Sequence, residues 1–192
     1  GGWENLERLS ERFTLMYDFV CNHVSAGHKW FLNCLAGDKK YEKFFIEENP
    51  KEDLSMVTRP RTTPLLTRFL TADGEKYFWT TFSDDQIDLN YHNPAVFWEA
   101  ADVFLTYLER GGRWIRLDAV GFLWKEAGTS CIHQENTHRI VKMLRSMMEE
   151  IWPDGRIVTE TNVPHADNVS YFGNGYDESH MVYQFPLPML VR

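Results

Sequence analysis

Apolar positions along this chain follow two alternating patterns, one with helical spacing and one of short unbroken runs. Trp3, Leu6, Leu9 and Phe13 recur at helical spacing, and Thr14-Leu15-Met16-Tyr17-Asp18-Phe19-Val20 then reads as a strand leading into Asn22-His23. Residues from about 26 to 85 lose this regularity and mix Gly, Pro, Asn and both charges, so an irregular insertion is expected after the strand. Asn93-Pro94 starts a helix, with Asn as N-cap and Pro at the first helical position. Val96, Phe97, Ala100, Phe104 and Leu108 carry that helix to a stop at Gly111-Gly112. Arg113 to Leu117 is the next strand, and Ile140, Val141, Leu144, Met147, Met148 and Ile151 line the helix that follows. Trp152-Pro153-Asp154-Gly155 breaks it before a strand at Ile157-Val158, and Met181 to Phe185 forms one more after the turn Gly173-Asn174-Gly175.

Such alternation is the signature of a parallel α/β sheet or barrel. A closed (β/α)8 barrel needs eight strands and roughly 250 residues, and about four strands are legible here, so the expected fold is an α/β partial barrel. The chain starts on a helix at Gly1-Gly2-Trp3 and stops just after a strand, and is expected to be the middle of a barrel cut at both ends. No internal repeat suggests a half-barrel that assembles with itself.

Composition narrows the functional classes. With 192 residues, 43% of them hydrophobic, the chain can bury a core, and 25% charged residues without low-complexity runs argue against disorder. A net charge of -8 and a pI near 5.4 leave no electrostatic footprint for nucleic acid or an anionic membrane. No apolar stretch approaches the roughly 20 residues that span a bilayer. The three cysteines, Cys21, Cys34 and Cys131, are widely spaced without ligand-like patterns and read as reduced structural thiols. His133, His138 and His165 likewise lack ligand spacing and are expected at the surface or in loops.

The candidate chemistry sits where two short strands give way to loops. Arg116-Leu117-Asp118-Ala119-Val120-Gly121 places one carboxylate at such a point, and Thr159-Glu160-Thr161 places another. In a parallel α/β barrel the C-terminal ends of the strands are where chemistry is assembled, and two carboxylates there can serve as nucleophile and general acid on one glycosidic bond. Arg116, two residues before Asp118 on the same strand face, can hold that carboxylate ionised and oriented, or can be an ordinary ion pair closing a strand. Glu160 beside Ile157, Val158 and Val163 is placed for an acid with a raised pKa, although a lone strand-end Glu is more often simply solvated.

Four segments occur in the order used by the α-amylase superfamily of glycoside hydrolases. They are Asp18-Phe19-Val20-Cys21-Asn22-His23, Arg116-Leu117-Asp118-Ala119 with Lys125 following, the strand-end Glu160, and the long insertion after Asn22-His23. The chain resembles that superfamily over nearly its whole length. The resemblance implies a partial (β/α)8 TIM barrel of about strands 3 to 6, with 1–25 and 86–192 as barrel and 26–85 as a lobe inserted after the third strand. It implies Asp118 as nucleophile and Glu160 as acid/base, with Asn22 and His23 bonding sugar hydroxyls and Asp18 supporting them. His23 as a structural histidine is the alternative. The superfamily's third carboxylate, after its seventh strand, would lie beyond Arg192.

Within the superfamily, Thr58-Arg59-Pro60-Arg61-Thr62-Thr63-Pro64 and Phe82-Ser83-Asp84-Asp85-Gln86-Ile87-Asp88 look like the sucrose phosphorylase branch. That likeness implies that Arg59 and Arg61 meet phosphate and that Phe82 and Gln86 line the sugar site; two surface arginines solvating a loop are the competing reading. Gly121 to Ser130 and Thr159 to His165 look closer to glucosylglycerate phosphorylases than to enzymes acting on sucrose. Lys125 either contacts the acceptor or pairs with Glu126 or another surface acid. The implied activity is retaining glucosyl transfer from an α-glucoside to inorganic phosphate, without organic cofactor or metal, in a cytoplasmic setting. Nucleic acid and membrane are not expected partners. A hydrolase or transglucosidase using the same carboxylates is the alternative, and the isolated chain is expected to be an inactive partial barrel with open sheet edges.

Overall fold

The computed structural model describes residues 2–187 and 191. In chain order the elements are helix α1 (Trp3–Ser10), strands β1 (Leu15–Val20) and β2 (His23–Ser25), helix α2 (Lys29–Leu35), strands β3 (Leu66–Thr71), β4 (Gly74–Trp79) and β5 (Gln86–Asp88), and helix α3 (Pro94–Glu109). Strand β6 (Gly112–Asp118), helix α4 (Glu135–Ile151), strand β7 (Arg156–Thr159), helix α5 (His165–Ser170) and strand β8 (Met181–Val182) complete the chain. The fold is α/β. It divides into two compact units, one of Gly1–Val20, Ala100–Gly121 and His133–Arg192, the other of Cys21–Glu99 and Phe122–Ile132. Among the described residues no helix is long and apolar enough to cross a membrane.

The first unit holds a parallel four-stranded sheet in the order β1-β6-β7-β8. On β6 the buried Ile115 and Leu117 alternate with the part-exposed Arg116 and Asp118, whereas Ile157, Val158 and Thr159 of β7 are buried in succession, so burial on both faces is reached at β7. Phe19 on β1 meets Phe104 and Tyr107 of α3 edge to face at 5.6 and 6.1 Å. The helix end predicted at Gly111 forms there because Gly111 takes φ +91°, a left-handed turn that a side chain resists. On α4 the predicted apolar face buries Ile140, Val141, Leu144 and Met148, whereas Ile151 is exposed at the last turn. His138 belongs to this helix, not to a loop, and its Nδ1 lies 2.7 Å from the buried Glu178. Strand β8 is shorter than the predicted Met181 to Phe185. Tyr183 still donates its N–H to the Thr159 carbonyl at 3.1 Å, but its own carbonyl accepts from the Asn168 side chain and the chain leaves the sheet.

The second unit contains the stretch that lacks a sequence period, and its core explains why. Phe31 of α2 meets Phe45, Phe69 of β3 and Phe78 of β4 edge to face at 4.9, 4.9 and 5.2 Å. These rings come from separated segments, so no single element shows a face. β3 and β4 form an antiparallel hairpin and β2 pairs antiparallel with β5. A smaller cluster of Leu65, Trp79 and Cys131 lies beside Ile46, Leu54, Val57 and Leu66. Asn93 caps α3 through its side-chain oxygen, which accepts from the Ala95 N–H at 3.1 Å. All three cysteines are buried, and none is in a disulfide among the described residues.

Candidate active site

In the first unit, strand periodicity and register bring four charged groups together. Arg116 and Asp118 are two residues apart on β6 and therefore share a face. Asp18 on β1 is in register with Arg116. Glu160 follows β7, and its N–H donates to the Leu117 carbonyl at 3.0 Å, extending the ladder one residue past the strand. The Arg116 guanidinium then donates to Asp18 and, at 2.9 Å, to Asp118, while its other terminal nitrogen stands 3.9 Å from Glu160.

One cation thus faces three carboxylates, so this cluster keeps a net negative charge. Burial alone lowers the Arg116 pKa, but the hydrogen bonds and charges of Asp18 and Asp118 outweigh it and raise it. The Tyr183 ring lies 5.4 Å from the guanidinium carbon, within cation-π range. Immediately after Asp118 the backbone turns left-handed at Ala119, φ 51°, a conformation a non-glycine residue holds at a cost. That turn aims the Ala119 N–H at Glu160, whose Oε2 accepts it at 3.2 Å. Two partly exposed carboxylates, each oriented by a donor that does not neutralise the pair, suit an attack on a carbon with proton delivery from the second carboxyl.

In the second unit, Asn22, His23, Phe82, Gln86 and Lys125 form another group around a buried acid. Lys125 is not a surface residue: its ammonium lies 2.8 Å from Asp88 and donates to Asn22 Oδ1 at 2.7 Å, and both charged side chains are buried. Its ion pair is with the buried Asp88 rather than with Glu126 or another surface acid. Asp88 also accepts from the Thr81 hydroxyl and, at 3.3 Å, from the Thr81 N–H. His23 has the Gln86 amide nitrogen 2.8 Å from Nε2 and the Asn22 amide nitrogen 3.3 Å from Nδ1; amide nitrogens only donate, so the ring accepts at whichever of its nitrogens carries no proton. The Phe82 ring stands 5.4 Å from His23 and 5.3 Å from Phe122.

Arg59 and Arg61 are both exposed. Arg59 donates to the Thr63 carbonyl of its own loop and Arg61 to the Pro60 carbonyl at 3.3 Å. Among the described residues neither forms an ion pair, and no group of three or more His, Cys, Asp or Glu side chains could hold a metal ion.

Sequence reasoning missed Asp88 and Tyr183. Asp88 carried a usable signal, since it stands between Ile87 and Leu89 in a short apolar stretch and all three are buried. Tyr183 carried none, because its contact with Arg116 comes from where the chain leaves the sheet.

The alpha-amylase catalytic-domain family matches residues 2–191 of this chain. A glucosylglycerate phosphorylase of Escherichia coli is 57% identical over 192 residues, 100% of this chain and 34% of that protein. A second, from Allomeiothermus silvanus, is 54% identical over 191 residues, again 100% of this chain and 34% of that protein. Among solved structures, a sucrose 6F-phosphate phosphorylase from Thermoanaerobacter thermosaccharolyticum superposes with a TM-score of 0.86 at 26% identity, covering 100% of this chain and 41% of that one. The chain therefore spans about a third of the length of the curated relatives it matches.

Proposed function

This chain belongs to the alpha-amylase catalytic-domain family, and from that membership we propose that the protein carrying it is a retaining α-glucoside phosphorylase acting on a glucoside such as glucosylglycerate. The observation that carries the reading is the Arg116 cluster, in which carboxylates from β6 and from the end of β7 share one guanidinium. The identity to relatives named glucosylglycerate phosphorylases supports the choice of phosphate as acceptor.

In this reading the Asp118 carboxylate attacks the anomeric carbon while the bond to the aglycone oxygen breaks and Glu160 gives that oxygen its proton. The result is a glucosyl ester on Asp118. Phosphate then attacks the same carbon, Glu160 takes up the phosphate's proton, and Asp118 leaves with its electron pair restored, giving α-glucose 1-phosphate. Arg116 orients Asp118 as a charge-assisted donor. His23, Gln86 and Phe82 contact the glucosyl unit, and Lys125 acts through Asn22, whose oxygen it holds. Arg59 and Arg61 receive phosphate, which a bidentate guanidinium suits. The bond from Arg59 to its own loop carbonyl favours a second reading, a hydrolase or transglucosidase in which these arginines only order the loop.

The test is to incubate the protein, expressed at the length of its relatives, with α-glucose 1-phosphate and glycerate, fructose or glycerol, following phosphate against free glucose. Phosphate release that depends on one acceptor is expected, and Arg59→Ala and Arg61→Ala are expected to raise the phosphate KM selectively. Glucose formation independent of acceptor, with unchanged phosphate dependence in both variants, would move the protein to the second reading.

A further inference from the structure

Helix α5 is six residues long, has no side-chain cap, and buries only Asn168. The fully buried Tyr171 at the C-cap anchors one end of the helix, and within the helix itself the hydrogen bonds of the one buried side chain set its place. Asn168 Oδ1 accepts the hydroxyl of Thr161 at 2.5 Å, and its Nδ2 donates to the Tyr183 carbonyl at 2.7 Å. Both ends of the amide are used at once, which neither a carboxylate nor a hydrocarbon could reproduce. Thr161 is itself buried and directly follows Glu160. Tyr183 is the residue whose ring faces Arg116, and Arg116 reaches both Asp118 and Glu160.

We infer that Asn168 is a positioning residue for Glu160: it clamps the segment after β7 to the segment after β8 and so fixes where the acid/base carboxyl and the Tyr183 ring stand. The inference rests on the reading that Glu160 protonates the departing aglycone. Its contribution should appear in proton delivery more than in substrate binding. Loss of the clamp leaves Glu160 in place chemically but displaces it from the leaving-group oxygen, and a displacement near 1 Å can cost about 10²-fold in rate.

In the protein expressed at the length of its relatives, the test compares Asn168→Ala and Thr161→Val on two donors, an alkyl α-glucoside, whose leaving oxygen needs a proton, and α-glucosyl fluoride, whose leaving group needs none. We expect kcat/KM for the alkyl glucoside, which reports the first step alone, to fall by about 10²-fold, with far smaller loss on the fluoride. Thr161→Ser keeps the hydroxyl and should retain activity on both donors. Thr161→Val exchanges the hydroxyl for a methyl of similar size, so a folding failure of Asn168→Ala does not decide the matter. Equal losses on the two donors, or none, in the Thr161→Val protein would overturn the inference. Glu160→Gln serves as the reference. If it is selective between donors while the clamp variants are not, the inference alone fails; if it is not selective, the reading of Glu160 fails and the inference with it.

Discussion

Arg116 and Lys125 are both cations held against carboxylates, yet they do opposite things to their surroundings. Arg116 meets three carboxylates and its side chain remains 19% exposed, with Asp118 and Glu160 at 24% and 21%. Lys125 meets one, at 4% exposure against 0% for Asp88. The first cluster is left with surplus negative charge that solvent or a substrate can reach. The second is balanced and dry, with the remaining bonding capacity taken by Asn22 and Thr81. Stoichiometry and access, not residue type, separate a group of charges able to react from one that fixes shape.

The largest effect that can break this contrast is on turnover. Asp118→Asn should lower kcat by about 10⁴-fold or more while leaving the unfolding midpoint close to the parent's, because the cluster is accessible and over-supplied with acid. Initial rates alongside thermal unfolding would check it, and a large loss of stability with modest loss of rate would make Asp118 a structural acid instead. Lys125→Met should show the reverse signature. Removing one partner of a buried pair leaves an uncompensated charge on Asp88 and costs about 3–5 kcal/mol, read as a lower urea midpoint. Adding Asp88→Asn to it should recover part of that loss, and no recovery would show that the ammonium acts through Asn22 rather than through the acid.

How legible each cluster was follows from how local its causes are. Arg116 and Asp118 could be placed on one face from strand period alone, and Glu160 from the break after Arg156-Ile157-Val158, whereas Asp18 joins them through the register of β1 against β6, which strand period does not give. Asn93 and Gly111 bounded α3 because capping and left-handed turns are set within a few residues. The Lys125 pairing could not be read, since it joins positions 37 residues apart to Asp88 and 103 apart to Asn22. The aromatic core around Phe31 was invisible for the same reason, and β8 was overextended because Asn168, not the strand sequence, decides where it ends.

A smaller effect sharpens the comparison by acting on the first unit through a group that is neither open nor ion-paired. His180 precedes β8; its Nδ1 accepts the Ile157 N–H at 3.0 Å and its own N–H donates to the Ile157 carbonyl at 3.0 Å. Burial first, then the charges of Arg145 and Arg156, push its pKa from 6.5 down to about 4, with Glu149 opposing them weakly. The folded state therefore holds the ring neutral where the unfolded chain would protonate it. Between about 4 and 6.5 the unfolded state binds more protons, so stability from this group is complete above 6.5 and is lost as pH falls toward 4. His180→Asn keeps an acceptor for the Ile157 N–H but cannot take a proton there. Urea midpoints across that window should decline less steeply in the variant than in the parent, and parallel declines would mean that the Ile157 contact survives protonation or that acid acts elsewhere in the chain.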